Sequence, residues 1–357
     1  MKYGRFITLS VLAAILLFMP ACSLLPFPQG STPRGAANLV WKFKTEAAVT
    51  STPAILDGVV YFGSFDGHLY ALDIHSGQEI WKNKTGDQID SSPIISNGMV
   101  YFGSDDNYLY ALDIQTGQEK WKFKTEGRVR SSPAVFEGVV FFGSFDGYLY
   151  VVDAQTGEEK WRFKTEDGVW SSATSADGVV YVGSDDGHLY ALDIVSGEKN
   201  WKFQADEAVR GTPIVAGGVV YFGGGPLYAV DIQTGQETWK FYPQVRATSS
   251  PTISGETIYF GGFHGRLYAV DIESGEERWN FRTTGTISST PKIVDGTIYF
   301  GSANDYLYAV DTQTGQKKWR FKTGGSVNSS ALIVDGTMYF GSGDGALYAL
   351  KLGGGYE

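Results

Sequence analysis

Eight of the nine tryptophans in this 357-residue chain stand on a lattice. Trp41, Trp81, Trp121, Trp161 and Trp201 are spaced by forty, and Trp239, Trp279 and Trp319 resume that spacing after a gap of thirty-eight. Self-similarity at a fixed period of roughly 40 to 45 residues marks a ring of sheets, and no other feature constrains the fold as tightly. One repeat reads WKFKTEGRVRSSPAVFEGVVFFGSFDGYLYVVDAQTGEEK, from Trp121 to Lys160. It holds four strand-like runs: SSPAVF, VVFFGS, YLYVVD and the EKWRFKT that leads into the next repeat. Turn signals separate them: Glu137-Gly138 (Asp-Gly or Asn-Gly elsewhere), Phe145 to Gly147, and Ala154 to Gly157. Asp-Gly and Asn-Gly suit two-residue hairpins because both central residues take positive φ. Each repeat is therefore a four-stranded antiparallel meander.

The YFGS…LYALD blocks centre on Tyr61, Tyr101, Phe141, Tyr181, Tyr221, Tyr259, Tyr299 and Tyr339, which makes eight repeats. The last ends at Leu347 to Leu352 with no tryptophan strand after it, and the first is preceded by an orphan one, Leu39 to Thr45. The N-terminal strand is thus expected to complete the last sheet and close the ring, which removes exposed edges. The expected fold is all-β: an eight-bladed β-propeller over residues 39–352, with a short tail at 353–357.

The pattern Ala-x-Asp-x-x-(Thr/Ser)-Gly-x-x-x-Trp recurs around the ring, as in Ala111 to Trp121. Its aspartates, Asp73, Asp113, Asp153, Asp193, Asp231, Asp271 and Asp311, are expected to accept backbone N–H bonds in the turn, and its glycines to relax the backbone. The eight lattice tryptophans then pack between blades. Burying one indole removes roughly 200 Å² from water, on the order of 5 kcal/mol at most. This motif resembles the tryptophan-docking motif of the pyrroloquinoline quinone (PQQ) propeller superfamily, over Leu39 to Leu352. Within that superfamily, eight blades without catalytic insertions and a candidate lipid anchor resemble the BamB-type assembly lipoproteins. The resemblance implies a periplasmic scaffold that binds the outer-membrane β-barrel insertion machinery.

The N-terminus supplies the anchor. Lys2 and Arg5 precede an apolar run from Phe6 to Phe18, too short to span a bilayer as a helix, so residues 1–21 read as a signal peptide. The sequence Met19-Pro20-Ala21-Cys22 resembles the bacterial lipobox, in which the cysteine is lipidated. The alternative is ordinary cleavage that leaves a free thiol. Residues 22–38 are rich in Pro, Gly and Ser and read as a flexible tether. The expected location is extracytoplasmic: the outer membrane facing the periplasm in a Gram-negative cell, otherwise the outside of the cell membrane. Loss of Lys2 and Arg5 from 29 basic residues leaves 27 against 39 acidic ones, a mature charge of −12 that argues against nucleic acid as a partner. A closed ring needs no second copy for stability, so a monomer is expected.

No constellation of catalytic residues emerges, and the chain is read as a non-enzyme without cofactor or metal. Quinoprotein dehydrogenases resemble it in fold, and that resemblance implies PQQ, a vicinal disulfide beside it and calcium. Here Cys22 is the one cysteine, which forbids a disulfide within the chain. His68, His75, His188 and His264 lack metal-ligand spacing. The Ser-Asp-Asp runs at 104–106 and 184–186 read as hairpin turns rather than calcium loops. The recurrent Ser-Ser-Pro reads as a structural element.

Comparing repeats with one another shows where the fold leaves freedom. The residue before Ser-Ser-Pro is Thr50, Asp90, Arg130, Trp170, Arg210, Thr248, Ser288 and Asn328 in turn. These positions and the Phe-Asp-Gly hairpins should surround one mouth of the central channel. Trp170, the tryptophan off the lattice, lies between Arg130 and Arg210, with Asp90 one blade beyond Arg130. The blade 5 hairpin is shortened to Gly223–Leu227, which should open a notch, and blade 6 carries Phe263, His264 and Arg266 in the equivalent loop. The candidate binding surface is Asp90, Arg130, Trp170, Arg210, Phe263, His264 and Arg266, for an envelope protein or polymer. Two other ligands stay open: a quinone on the Arg-Trp-Arg arc, or a carbohydrate on the aromatics Phe65, Tyr108, Phe145 and Tyr148.

Overall fold

The structure, a computed structural model, describes residues 37–244 and 246–353. The signal peptide, Cys22, nearly all of the tether and residues 354–357 lie outside the described residues. The body forms eight four-stranded antiparallel sheets, the blades of a propeller, with no α-helix among the described residues. Blade 1 runs outward from the channel as Ala54–Leu56, Val59–Gly63, His68–Asp73 and Glu79–Lys84. Blade 8 takes its three inner strands, Leu332–Val334, Thr337–Ser342 and Ala346–Lys351, from the C-terminus and its outer strand, Asn38–Lys44, from the N-terminus. That strand pairs antiparallel with Ala346–Lys351, so the ring closes as the sequence predicts. The innermost strand is shorter than expected: in SSPAVF only Ala134–Phe136 is strand, and Ser-Ser-Pro lies ahead of it.

Burial follows from stacking blade on blade. The second strand of blade 1 is buried at every residue from Val60 to Gly63, because each of its faces meets a neighbouring blade. The outer strand alternates: Trp41 and Phe43 turn inward while Lys42 and Lys44 stay exposed. The one-to-two turns adopt the expected left-handed pair, φ 49° at Asp57 and 78° at Gly58, with even Glu137 held at φ 46°.

Seven lattice tryptophans, Trp41 to Trp279, dock on the turn of the next blade; Trp319 faces blade 8, where Lys351 stands at the aspartate position, and packs against that blade's core instead. Trp81 Nε1 donates to the Ile114 carbonyl at 3.2 Å, and the Tyr61 hydroxyl of the same blade donates to that carbonyl at 3.2 Å. The two rings sit 5.7 Å apart. Gly117 of that turn has φ +68°, and a Cβ there would stand 2.6 Å from the Trp81 ring. Only glycine fits, for conformation and for space. Asp113 ties the turn, accepting from the amides of Gln115 and Thr116 at 3.1 and 3.0 Å and from the Thr116 hydroxyl at 2.9 Å. A β-bulge opposite Ala111 and Leu112 leaves Lys120 as the extra residue, and its ammonium meets Asp113 at 3.1 Å. Trp41 repeats the docking at the ring junction, donating to the Ile74 carbonyl at 3.0 Å.

Two predictions follow from this turn. Gly98 and Gly117 share a positive φ, but a Cβ at Gly98 meets nothing within 4 Å. Urea denaturation should show Gly98→Ala losing about 1 kcal/mol for its φ alone, and Gly117→Ala at least about 2 kcal/mol more for the indole it displaces. Equal losses would mean that the docking contact carries no weight. Second, the Thr116 hydroxyl and amide, with Lys120, hold the Asp113 carboxyl at about 2. Since the unfolded residue titrates near about 3.9, this contribution is complete above pH ~4 and lost as pH falls towards ~2. Asp113→Asn should lower the melting temperature at pH 7, and its deficit against the parent protein should shrink at pH 2.

Candidate functional site

The residues that precede the inner strands gather at one end of the channel. They bound a cavity of about 870 Å³ lined by Asp90, Trp170 and Arg210, with Phe65, Arg246 and Phe263 around it. Thr50, Ser288 and Asn328 close its far side. Gly223 and Gly225 also line it, so the shortened blade 5 hairpin forms the expected notch. Deeper in lies a chamber of about 380 Å³ lined by one hydroxyl residue per blade, Thr52 to Ser330. Those hydroxyls serve the ring itself: the Thr52, Ser92 and Ser132 amides donate to the next blade's Ser92, Ser132 and Ser172 Oγ at 2.9, 2.9 and 3.0 Å. The other serine of the pair stitches its own blade, Ser51 Oγ donating to the Gly63 carbonyl and accepting from its amide.

Trp170 is held between two cations. The guanidinium carbons of Arg130 and Arg210, from the blades on either side, each lie 5.3 Å from its ring centroid. Phe145 packs against the indole at 5.2 Å. The arginines are themselves fixed. Arg130 Nε and Nη2 reach Asp105 at 2.8 and 2.6 Å, and Arg210 Nε and Nη2 reach Asp185 at 2.7 and 3.1 Å. Asp105 is buried and also accepts from Gln88 Nε2 at 2.7 Å. Burial pushes its carboxyl up, but the Arg130 and Gln88 hydrogen bonds outweigh that and leave it below the usual carboxylate range. Asp90 differs. Its carboxyl accepts from Thr50 Oγ1 at 2.6 Å, and burial, only partly offset by that bond and by Arg130, raises its pKa.

Asp105 and Asp185, the middle residues of the two Ser-Asp-Asp runs, are the functional residues that sequence reasoning missed. The signal was present at a spacing of twenty-five. Phe65 is followed by Asp90, Asp105 by Arg130, Phe145 by Trp170 and Asp185 by Arg210, so hairpin and mouth residue alternate as matched pairs. The following aspartates do turn work: Asp106 accepts from the Gly86 amide at 2.7 Å and the Tyr110 hydroxyl at 2.6 Å.

The blade 6 loop divides. Phe263 lines the mouth beneath the Arg246 guanidinium, 5.0 Å from its ring. His264 and Arg266 line a separate groove on the outer side of the hairpin. A 3-10 turn, Phe263–Gly265, with His264 at φ 57°, holds the two rings edge to face at 4.7 Å while each lines a different cavity. His68 and His188 each lie 3.2 Å from the aspartate of their own turn, Asp66 and Asp186. Among the described residues no group of three or more His, Cys, Asp or Glu is placed to hold a metal ion. The aromatics considered for sugar stacking are half-buried; Lys122 lies 5.3 Å over Tyr108 and Lys164 lies 4.2 Å over Tyr148, Phe145 packs on Trp170, and Phe65 lines the mouth.

Eight blades, with seven of the eight lattice tryptophans seated on the Asp-(Thr/Ser)-Gly turn of the next blade, define the class: a tryptophan-docked propeller of the PQQ type. The chain belongs to the family described as outer membrane protein assembly factor BamB, which it matches over residues 34–162, 116–241, 145–280 and 223–357. Among solved structures it is similar to BamB from Moraxella catarrhalis, at 20% identity and a TM-score of 0.78, covering 90% of this chain and 99% of that one. It is similar to the same degree, 20% identity and 0.78, to the computationally designed protein Ika8, over 87% of this chain and 98% of that one. Quinohemoprotein alcohol dehydrogenase from Comamonas testosteroni aligns at 19% identity and a TM-score of 0.76, over 90% of this chain and 77% of that one. No curated protein sequence matches the chain.

The two arginines should respond differently to truncation. The Arg130 side chain is 17% exposed and its partner Asp105 1%, whereas that of Arg210 is 56% exposed. Arg130→Ala should cost about 2 kcal/mol in urea denaturation, because it leaves the buried Asp105 charge with only Gln88 Nε2 and the Arg128 guanidinium, 3.8 Å away, and Asp105→Ala in the same chain should recover most of it. Arg210→Ala should cost less than about 1 kcal/mol.

Proposed function

We propose that the protein is a non-catalytic envelope scaffold, held at a membrane through Cys22, that binds a partner protein over the channel mouth in outer-membrane protein assembly. The family it belongs to supports the setting, and the lipobox-like Met19 to Cys22 supports the anchor. The observation that carries the binding surface is the Arg130–Trp170–Arg210 stack. Arginine and tryptophan dominate the energetic centres of protein interfaces. Here Asp105 and Asp185 fix both guanidiniums before any partner arrives, so little side-chain entropy remains to be lost on binding. The notch at Gly223–Gly225 and the Phe263 ring extend that centre into a concave surface.

A planar quinone is the competing ligand of this surface. What argues against it is that the Trp170 ring already has a guanidinium on either side, and that Asp105 and Asp185 are engaged by those guanidiniums. The residues present do not fit PQQ without dismantling this stack.

In the native cell, loss of the protein should lower the envelope content of outer-membrane β-barrels. The parent gene should restore it, and a stably produced Trp170→Ala/Arg210→Ala form should not. Unchanged barrel content on deletion would remove the assembly role. Titration of the purified protein with PQQ and calcium should leave tryptophan fluorescence and melting temperature unchanged. Saturable quenching that vanishes in Trp170→Ala would establish the quinone reading instead.

A further inference from the structure

The groove that receives His264 and Arg266 has a charge pattern found nowhere else on the ring. It encloses about 950 Å³ between blades 6 and 7 and is lined by Arg266, Arg282, Lys317 and Arg320 above the rings of Phe281 and Tyr306. The protein as a whole carries a formal charge of −10. The same crevice elsewhere carries acids at up to three positions; Gly86, Gly324 and Lys199 each break the pattern at one of them, but only between blades 6 and 7 are all three lost. The hairpin aspartate that is Asp66, Asp106, Asp146, Asp186 and Asp344 in other blades becomes His264 in blade 6 and Asn304 in blade 7. The acid that is Glu46, Glu126, Glu166 or Asp206 becomes Gln244 and Thr284. The glutamates that pair three residues ahead, Glu79 with Lys82 at 3.6 Å and Glu119 with Lys122 at 3.3 Å, have as their blade 7 counterpart Lys317, beside Arg320.

The cations left behind are available. Arg282, Lys317 and Arg320 are exposed. Arg320 rests on the Tyr306 ring at 4.2 Å, which fixes its plane and leaves its N–H edge free, and no ion pair with Arg282 or Arg320 occurs among the described residues. The acids that remain are engaged: Asp305 with Lys322 at 3.0 Å, and Glu277 Oε1 with Asn280 Nδ2 at 2.6 Å. A polyanion has nothing to set against the aromatic floor, and a flat bilayer cannot follow a concave crevice. A short segment with alternating carboxylates and apolar side chains satisfies both the guanidinium forks and the aromatic floor.

We propose that this groove binds an acidic, aromatic-containing peptide segment of a partner protein. It extends the scaffold reading but occupies a different surface, joined to the mouth through the Phe263–Gly265 turn. The test is fluorescence anisotropy of the full-length protein with a short labelled peptide of alternating Glu and Phe, beside its Gln–Phe counterpart. The Glu–Phe peptide should bind saturably and more weakly as salt rises, and the Gln–Phe peptide should not bind. Arg282→Gln/Arg320→Gln should weaken binding by roughly tenfold or more, while Lys82→Gln/Lys122→Gln at equivalent places in other blades leaves it unchanged. Melting curves of both variants, all at exposed residues, should match the parent protein. No binding, equal loss in both variants, or a groove-dependent response only to polyphosphate or phosphatidylglycerol vesicles would overturn the peptide assignment. The peptide result is independent of the barrel content measured in cells, so either reading can fail alone.

Discussion

The seat of an indole on a glycine is the contact on which the rest of the ring depends. Trp81 can reach the Ile114 carbonyl only because Gly117 has no Cβ, and Gly117 is held there because Asp113 gathers the amides of its turn. The same arrangement occurs at Gly77 under Trp41, where the N-terminal strand of blade 8 meets blade 1. Closure is therefore one more copy of a contact already made around the ring. Sheets that bury both faces against neighbours have no stable existence singly, so the docking contact and the stacked core form together.

A frame fixed on the outer side of the blades leaves the inner loops free to vary. At the mouth that freedom is used in matched pairs. A hairpin aspartate in one blade holds an arginine of the next, and between two such pairs stands Trp170 with Phe145 behind it. The charges are balanced within the protein, so the surface presents fixed hydrogen-bond donors and ring edges rather than a strong net field. Between blades 6 and 7 the balance is broken in one direction only: neutral residues and Lys317 stand where most other blades carry acids, and Arg282 and Arg320 have no ion pair among the described residues. Two surfaces of different chemistry thus share one hairpin.

Much of this was legible in the sequence. The lattice spacing gave blade number and closure, because a repeat that tiles a ring must keep its length. The outward residues of the mouth stood out because Thr50, Asp90, Arg130 and Trp170 vary where the fold does not constrain them. The partners of the arginines were harder to see. Asp105 and Asp185 sit in hairpins whose neighbours Asp106 and Asp186 are ordinary turn residues, and only the twenty-five-residue spacing to Arg130 and Arg210 sets the first pair apart. That the touching rings of Phe263 and His264 line different cavities could not be read at all. It depends on a left-handed φ at a histidine, which follows from the shape of the turn rather than from residue type.

A scaffold that acts through the mouth of its channel must meet its partner at Trp170. The most direct measurement is photo-crosslinking in the native cell from a photoreactive residue placed at Trp170, with Val195 as the reference on the opposite face, where it is 79% exposed. Position 170 should crosslink to one defined envelope protein, and position 195 should not crosslink to that protein. The same partner captured from position 195 but not from position 170 would contradict it.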